Sequence, residues 1–131
     1  MKQPIQKQCS GVWLDNHQAV IISHNSDNDN EEYAVHNKVE APEMNEGGSE
    51  HAMNNAKKAD TLKYFKSVAS RLLSFDRIYI FGPGKAQEQF QNHLKEDAQF
   101  NDKKITIGTA DNLTDPQMIA KVRDFYKLQQ S

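Results

Sequence analysis

A chain of 131 residues that is 37% apolar, with 16 Lys and Arg against 18 Asp and Glu for a formal charge of -2, has the size and apolar content of one domain with one core. The near balance of charge argues against a generally basic surface of the kind that binds nucleic acid by neutralising phosphates, so DNA is not an expected partner. Cys9 is the sole cysteine, which excludes an intramolecular disulfide and a multi-cysteine zinc site made from this chain and fits a reducing compartment. Residues 1–8 hold no apolar core of signal-peptide length, and no window has the apolar run that spans a bilayer, so a cytoplasmic location without a membrane partner is expected.

After a tail at residues 1–9, one α/β domain over 10–131 is expected. Gly11-Val12-Trp13-Leu14-Asp15 and Ala19-Val20-Ile21-Ile22-Ser23 are β-prone runs split by Asn16-His17-Gln18, which predicts an antiparallel hairpin. Beyond an Asn/Asp-rich turn, residues 31–39 predict a third strand with Tyr33, Val35 and Val39 on one face. From Glu40 to about Lys58 the periodicity disappears around Pro42, Gly47 and Gly48, as expected of a long mobile loop. The mean hydropathy of -0.84 agrees with such polar stretches.

Leu62, Phe65, Val68, Ala69 and Leu72 then recur at helical spacing, with Asp60 or Thr61 as the expected cap. Arg77-Ile78-Tyr79-Ile80-Phe81 is a strand running into Gly82-Pro83-Gly84, after which Ala86, Phe90 and Leu94 mark a helix. Residues 104–109 form the last strand, and Thr114-Asp115-Pro116-Gln117 reads as a capping box opening a helix with Ile119, Val122 and Phe125 inward. The order β-β-β-α-β-α-β-α predicts a mixed five-stranded sheet with flanking helices, since right-handed crossovers make the later strands parallel.

Candidate sites are few. Gly82-Pro83-Gly84-Lys85 before a helix offers amide hydrogens and a cation to a phosphate, but it matches neither common glycine-rich phosphate motif, so a tight turn explains it better. The five histidines are scattered, with His24 and His36 placed to face each other across neighbouring strands. Cys9 has no local activator, and Trp13 and Tyr33 at alternating strand positions fit sheet-face packing better than base stacking. Lys57, Lys58, Lys63, Lys66 and Arg71 form the one basic concentration, a solvated helix face or an RNA footprint. No metal or cofactor is implied.

The long loop after the third strand, with Ile78-Tyr79-Ile80-Phe81-Gly82-Pro83-Gly84 entering Lys85-Ala86-Gln87-Glu88-Gln89-Phe90, resembles the middle domain of archaeal and eukaryotic peptide-chain release factors and of Pelota. Lys85, Gln89 and Phe90 look like that family's Lys-x-x-x-Phe helix opening. The resemblance covers residues 10 to 128 and implies a ribonuclease H-like fold, without the codon-reading and factor-binding domains on either side. It looks like a stand-alone bacterial relative of the kind labelled translational machinery components.

The family's active tip is Gly-Gly-Gln, and Gly47-Gly48-Ser49 stands at the corresponding place. Ser49 loses the carboxamide that helps place water against a peptidyl ester. Glu40, Glu43, Glu46 and Glu50 surround the tip without a Lys or Arg between residues 40 and 56, so ribosomal RNA would repel it. Hydrolysis would need another residue, such as His51, to orient water. Since the implied fold also serves metal-dependent nucleases, Asp15 and Asp111 are the plausible strand-end carboxylates, and turn or cap roles suffice for both. The leading expectation is a ribosome- or tRNA-associated protein without peptide-release activity, using Lys57, Lys58, Lys63 and Lys66. The alternative is a protein-interaction module, possibly homodimeric, that kept the fold and lost RNA contact.

Overall fold

In this computed structural model residues 8–25, 32–41 and 50–129 are described, with the side chains of 25, 32, 50–59 and 129 outside the description. The strands are β1 (Cys9–Leu14), β2 (Gln18–Asn25), β3 (Glu32–Glu40), β4 (Arg77–Phe81) and β5 (Lys104–Ile107), and the helices are α1 (Glu50–Ser70), α2 (Ala86–Lys95) and α3 (Asp115–Gln129). They form one mixed sheet in the order β3-β2-β1-β4-β5. β2 runs antiparallel to both β1 and β3, whereas β4 is parallel to β1 and β5 to β4. This is the α/β architecture expected from the order of elements.

The alternation of side chains along β1 and β4 divides the core in two. Val12, Leu14, Ile78 and Ile80 face one way, onto Phe65 and Val68 of α1, Leu72 in the turn after it, and Phe90 and Leu94 of α2. Trp13, Tyr79 and Phe81 face the other way, onto Met118, Val122 and Tyr126 of α3. A sheet covered on both sides needs strands that are apolar at nearly every position, which explains the continuous run Ile78-Tyr79-Ile80-Phe81. Among the described residues no helix is long and apolar enough to cross a membrane.

Four expectations need correction. The backbone of α1 is helical from Glu50, so the stretch expected as loop over 40–58 gives up its last nine positions, and neither Asp60 nor Thr61 caps the helix. Ala52, Met53, Ala56, Lys57, Lys58 and Ala59 are good helix formers with no apolar period, so propensity extends the helix where a periodicity search stops. Leu62 is 45% exposed, and Tyr64 takes its expected place on the buried face. Tyr33 and Val35 lie on the α3 side of the sheet while Val39 lies on the α1 side.

The cause of that last difference is a bulge. Ile21 pairs with Asn37 and Ile22 with Val35, so His36 is an extra residue opposite the β2 strand. One inserted residue exchanges the faces of everything beyond it. At the far end of the chain the capping box is present: Thr114 Oγ1 accepts from the Gln117 amide at 3.3 Å, and Gln117 Oε1 accepts from the Thr114 amide at 2.9 Å. Met118, Val122 and Tyr126 make the fully buried ridge of α3, with Ile119 and Phe125 packed at its margins.

Gly11 is where α3 comes closest to the sheet, since a Cβ there would overlap the Cγ2 of Val122 and lie 2.9 Å from its Cγ1. Gly11→Ala is expected to cost about 1–3 kcal/mol by overpacking. In urea unfolding, Gly11→Ala/Val122→Ala should be more stable than the sum of the two single losses allows. Strict additivity would show that this contact does not set the approach of α3.

Candidate functional site

All four strands that run parallel to one another, β1, β3, β4 and β5, deliver their carboxyl ends to one edge of the sheet, and β4 and β5 return there after α1 and α2. At the β1 end Asp15 Oδ1 accepts from the amides of His17 and Gln18, both at 2.8 Å, closing the hairpin turn. The Asp15 carbonyl accepts from Tyr64 Oη at 3.0 Å. Burial pushes the Tyr64 phenol well above its ordinary range, and the Asp15 charge adds to the effect. Asp111 is exposed, and its carbonyl accepts from Trp13 Nε1 at 3.4 Å. Asp15 thus belongs to the hairpin turn and Asp111 to the β5–α3 connection, and among the described residues no three His, Cys, Asp or Glu gather as metal ligands.

The β4–α2 turn has a steric requirement at its first residue only. A Cβ on Gly82 would overlap the backbone carbonyl of Leu14, whereas one on Gly84 would meet nothing within 4 Å. The Gly82 carbonyl accepts from the Ala110 amide at 2.8 Å and from Gln87 Nε2 at 3.0 Å. Gln87 is buried, and its Oε1 has no hydrogen-bond partner. Lys85 sits at the N-cap of α2 without a side-chain cap bond, and Pro83, Gly84 and Lys85 are exposed. Of the three residues matched to a helix opening, Phe90 is core, and Lys85 and Gln89 are on the surface.

Gly47, Gly48 and Ser49 lie outside the described residues, as does the side chain of His51, whose backbone belongs to the first turn of α1. Lys63 and Lys66 are exposed on α1, while the side chains of Lys57 and Lys58 are outside the description. At about 100° per residue, position 57 stands half a turn round the helix from position 66. Lys63 and Lys66 share an arc, as their spacing predicts.

The histidines separate as well. His24 pairs with Tyr33, ring centroids 5.2 Å apart, and not with His36, whose bulge turns it toward Phe75. Trp13 is buried and Tyr33 stacks on Tyr126 at 6.1 Å, so both pack on the sheet face. Cys9 is partly buried at the start of β1.

Sequence reasoning counts His93 among the scattered histidines, surface residues by default. On α2 its ring lies 5.7 Å from Phe65 of α1 and 6.3 Å from Phe90, which places a half-buried imidazole on the seam between the two helices. Burial lowers its pKa below the ordinary 6.5; Asp97 and Glu96 oppose the shift and Lys66 reinforces it. The spacing Phe90 to His93 marks one helix edge, but nothing in the sequence pairs it with Phe65.

No family model matches the chain, and no curated protein matches it in sequence. Solved structures do. Pelota of Archaeoglobus fulgidus superposes with a TM-score of 0.63 at 14% identity over 92% of this chain and 31% of that protein. For Pelota of Thermoplasma acidophilum the values are 0.57, 21%, 88% and 31%, and for an archaeal translation termination factor 0.51, 13%, 88% and 33%. The fold is ribonuclease H-like. At these identities the likeness establishes the ribonuclease H-like fold and nothing finer, and the chain spans about a third of the length of each of the three proteins.

Two outcomes are expected. Gly82→Ala, which must displace the Leu14 backbone, should lose about 1–3 kcal/mol, and Gly84→Ala should unfold in urea within about 0.5 kcal/mol of the parent or be more stable; equal losses at both positions would show that the turn yields. For His93, the unfolded chain binds the proton more readily than the folded one, so stability is full above the ordinary value of 6.5 and falls as pH drops through the depressed folded value. His93→Phe should remove that part of the decline between pH 7.5 and 5, and an unchanged slope would show that the imidazole is not held neutral.

Proposed function

We propose that this chain is a cytoplasmic, translation-associated protein that contacts ribosome or tRNA through its ribonuclease H-like domain and does not release peptides. The observation that carries the reading is the likeness to Pelota and to a termination factor over about nine-tenths of the chain. It is supported by the exposed pair Lys63 and Lys66 on the outer arc of α1, a local positive edge on a chain whose formal charge is -2. Electrostatic attraction to phosphates is the term that such a pair supplies, and it is sensitive to salt. Absence of release activity follows from Gly47-Gly48-Ser49, where the family's glutamine carboxamide is missing, and from Glu43, Glu46 and Glu50 around it.

The homodimeric interaction module has less in its favour. The outer edge of β3 carries the His36 bulge and exposed Lys38 and Glu40, features that blunt a strand edge against pairing with another copy.

The test is sedimentation of the tagged protein with ribosomes from its own cells at low and high salt, beside Lys63→Glu/Lys66→Glu and the variant that also reverses Lys57 and Lys58. Binding should disappear in high salt and in the double variant. In a titration against RNA, loss of two phosphate contacts should flatten the log-log salt slope by roughly 1.5–2. A protein that stays out of the ribosomal pellet at both salt concentrations would overturn the reading in favour of a protein partner.

A further inference from the structure

We propose that His93 is a proton-linked contact for the phosphates of an RNA partner, the imidazole charging as a phosphodiester chain settles along the α1–α2 seam beside Lys66. The inference rests on the RNA-contact reading above and adds a residue, a protonation step and a pH dependence to it. Its basis is the position of the ring. Phe65 lies 5.4 Å from Phe90 and 5.7 Å from His93, and the His93 ring is within 15° of parallel to Phe90. Apolar rings thus hold the imidazole in place from α1 and α2 while it keeps partial exposure to solvent. Residue 66 follows Phe65 directly, so the exposed Lys66 flanks the same seam.

The charges facing the ring come from α1, through Lys66, and from the end of α2 and the turn after it, through Glu96 and Asp97. Among the described residues, one positive against two negative charges leaves the seam one charge negative while His93 is neutral, and a phosphate is repelled. Protonation of His93 cancels that excess. Asp97 is partly committed already, since its Oδ1 accepts from the Gln99 amide at 3.0 Å as the cap of a single 3-10 turn. A phosphate beside the ring favours the imidazolium, and by linkage the protonated ring favours the phosphate to the same extent. Each unit by which the bound complex raises the His93 pKa therefore tightens binding by up to about tenfold as pH falls through the titration.

The experiment uses the full chain and a short fluorescein-labelled RNA hairpin, with affinity read by anisotropy from pH 7.5 to 6.0. The imidazole proton signals are followed by NMR with and without the RNA. Binding of the unaltered chain should tighten several-fold across that range, His93→Gln should lose most of the pH dependence while remaining salt-sensitive, and the His93 midpoint should move upward in the complex. An unmoved midpoint in the RNA-bound, unaltered chain overturns the proposal even if the variant folds poorly, and so does an unchanged pH profile in His93→Gln. In both cases salt-sensitive RNA binding would leave the translation reading standing. No RNA binding at any pH would overturn both.

Discussion

β1 is the strand on which every layer of this fold converges. It is the central strand, antiparallel to β2 and parallel to β4, and its backbone carbonyls are the anchors for both helical layers. Tyr126 of α3 donates to the Ser10 carbonyl at 2.6 Å, and Tyr64 of α1 donates to the Asp15 carbonyl at 3.0 Å. The two phenols reach opposite ends of the strand from opposite faces of the sheet. Each is buried and each has its pKa pushed upward, chiefly by that burial, so neither phenol ionises near neutrality. A buried hydroxyl with its one donor engaged is cheap to keep and expensive to lose. Trp13, from β1 itself, completes the set by donating to the Asp111 carbonyl and holding the β5–α3 connection.

The requirement for close approach follows from these anchors. α3 can place Tyr126 over Ser10 only if Val122, one turn earlier, drops into the space left by Gly11. On the opposite side α2 begins just after β4, and Gly82 lets the turn pass against the Leu14 carbonyl. Gly11 lies within β1 and Gly82 directly follows β4; the first is crowded by Val122 of α3 and the second by the Leu14 carbonyl of β1. Lys103 performs a similar service at the other edge of the sheet, donating to the carbonyls of Leu73 at 2.7 Å and Phe75 at 2.6 Å where the chain leaves α1.

Much of this architecture is legible in the residues. Runs such as Ile78-Tyr79-Ile80-Phe81 and Val20-Ile21-Ile22 have no other stable use than strands covered on both faces, and the Thr114 to Gln117 capping box is specified by two side chains three residues apart. What escapes a sequence reading is what depends on a second segment. The bulge at His36 is defined by its partner Ile21–Ile22, and β3 alone shows only a loose alternation. The first ten residues of α1 carry helix formers without an apolar period, so hydrophobic patterning has nothing to register. Gln87 reads as an ordinary helix polar residue until the Gly82 carbonyl comes within 3.0 Å of it. The same holds for the candidate site: the lysines are visible in the sequence, but the contact of His93 with Phe65 arises only once α1 is laid against α2.

The attachment of α1 to the sheet shapes how its outer face can act. Among the described side chains, Tyr64, Phe65, Val68 and Ala69 hold it to the sheet, with Leu72 just beyond its last turn. Apolar burial of this kind supplies most of the stability of a helix in a folded protein, whereas propensity alone is marginal over ten residues. Those residues fix this part of the helix to the core. Lys63 lies immediately before the anchor and Lys66 inside it, on the solvent side of the same turns. A partner gripping that arc bears on the part of α1 that is fixed to the core. Tyr64 adds a polar tie to that part, donating to the Asp15 carbonyl at 3.0 Å. The seam with α2, where Phe65, Phe90 and His93 meet, lies beside the fixed part, so a charge placed there is felt without any need for the helix to move.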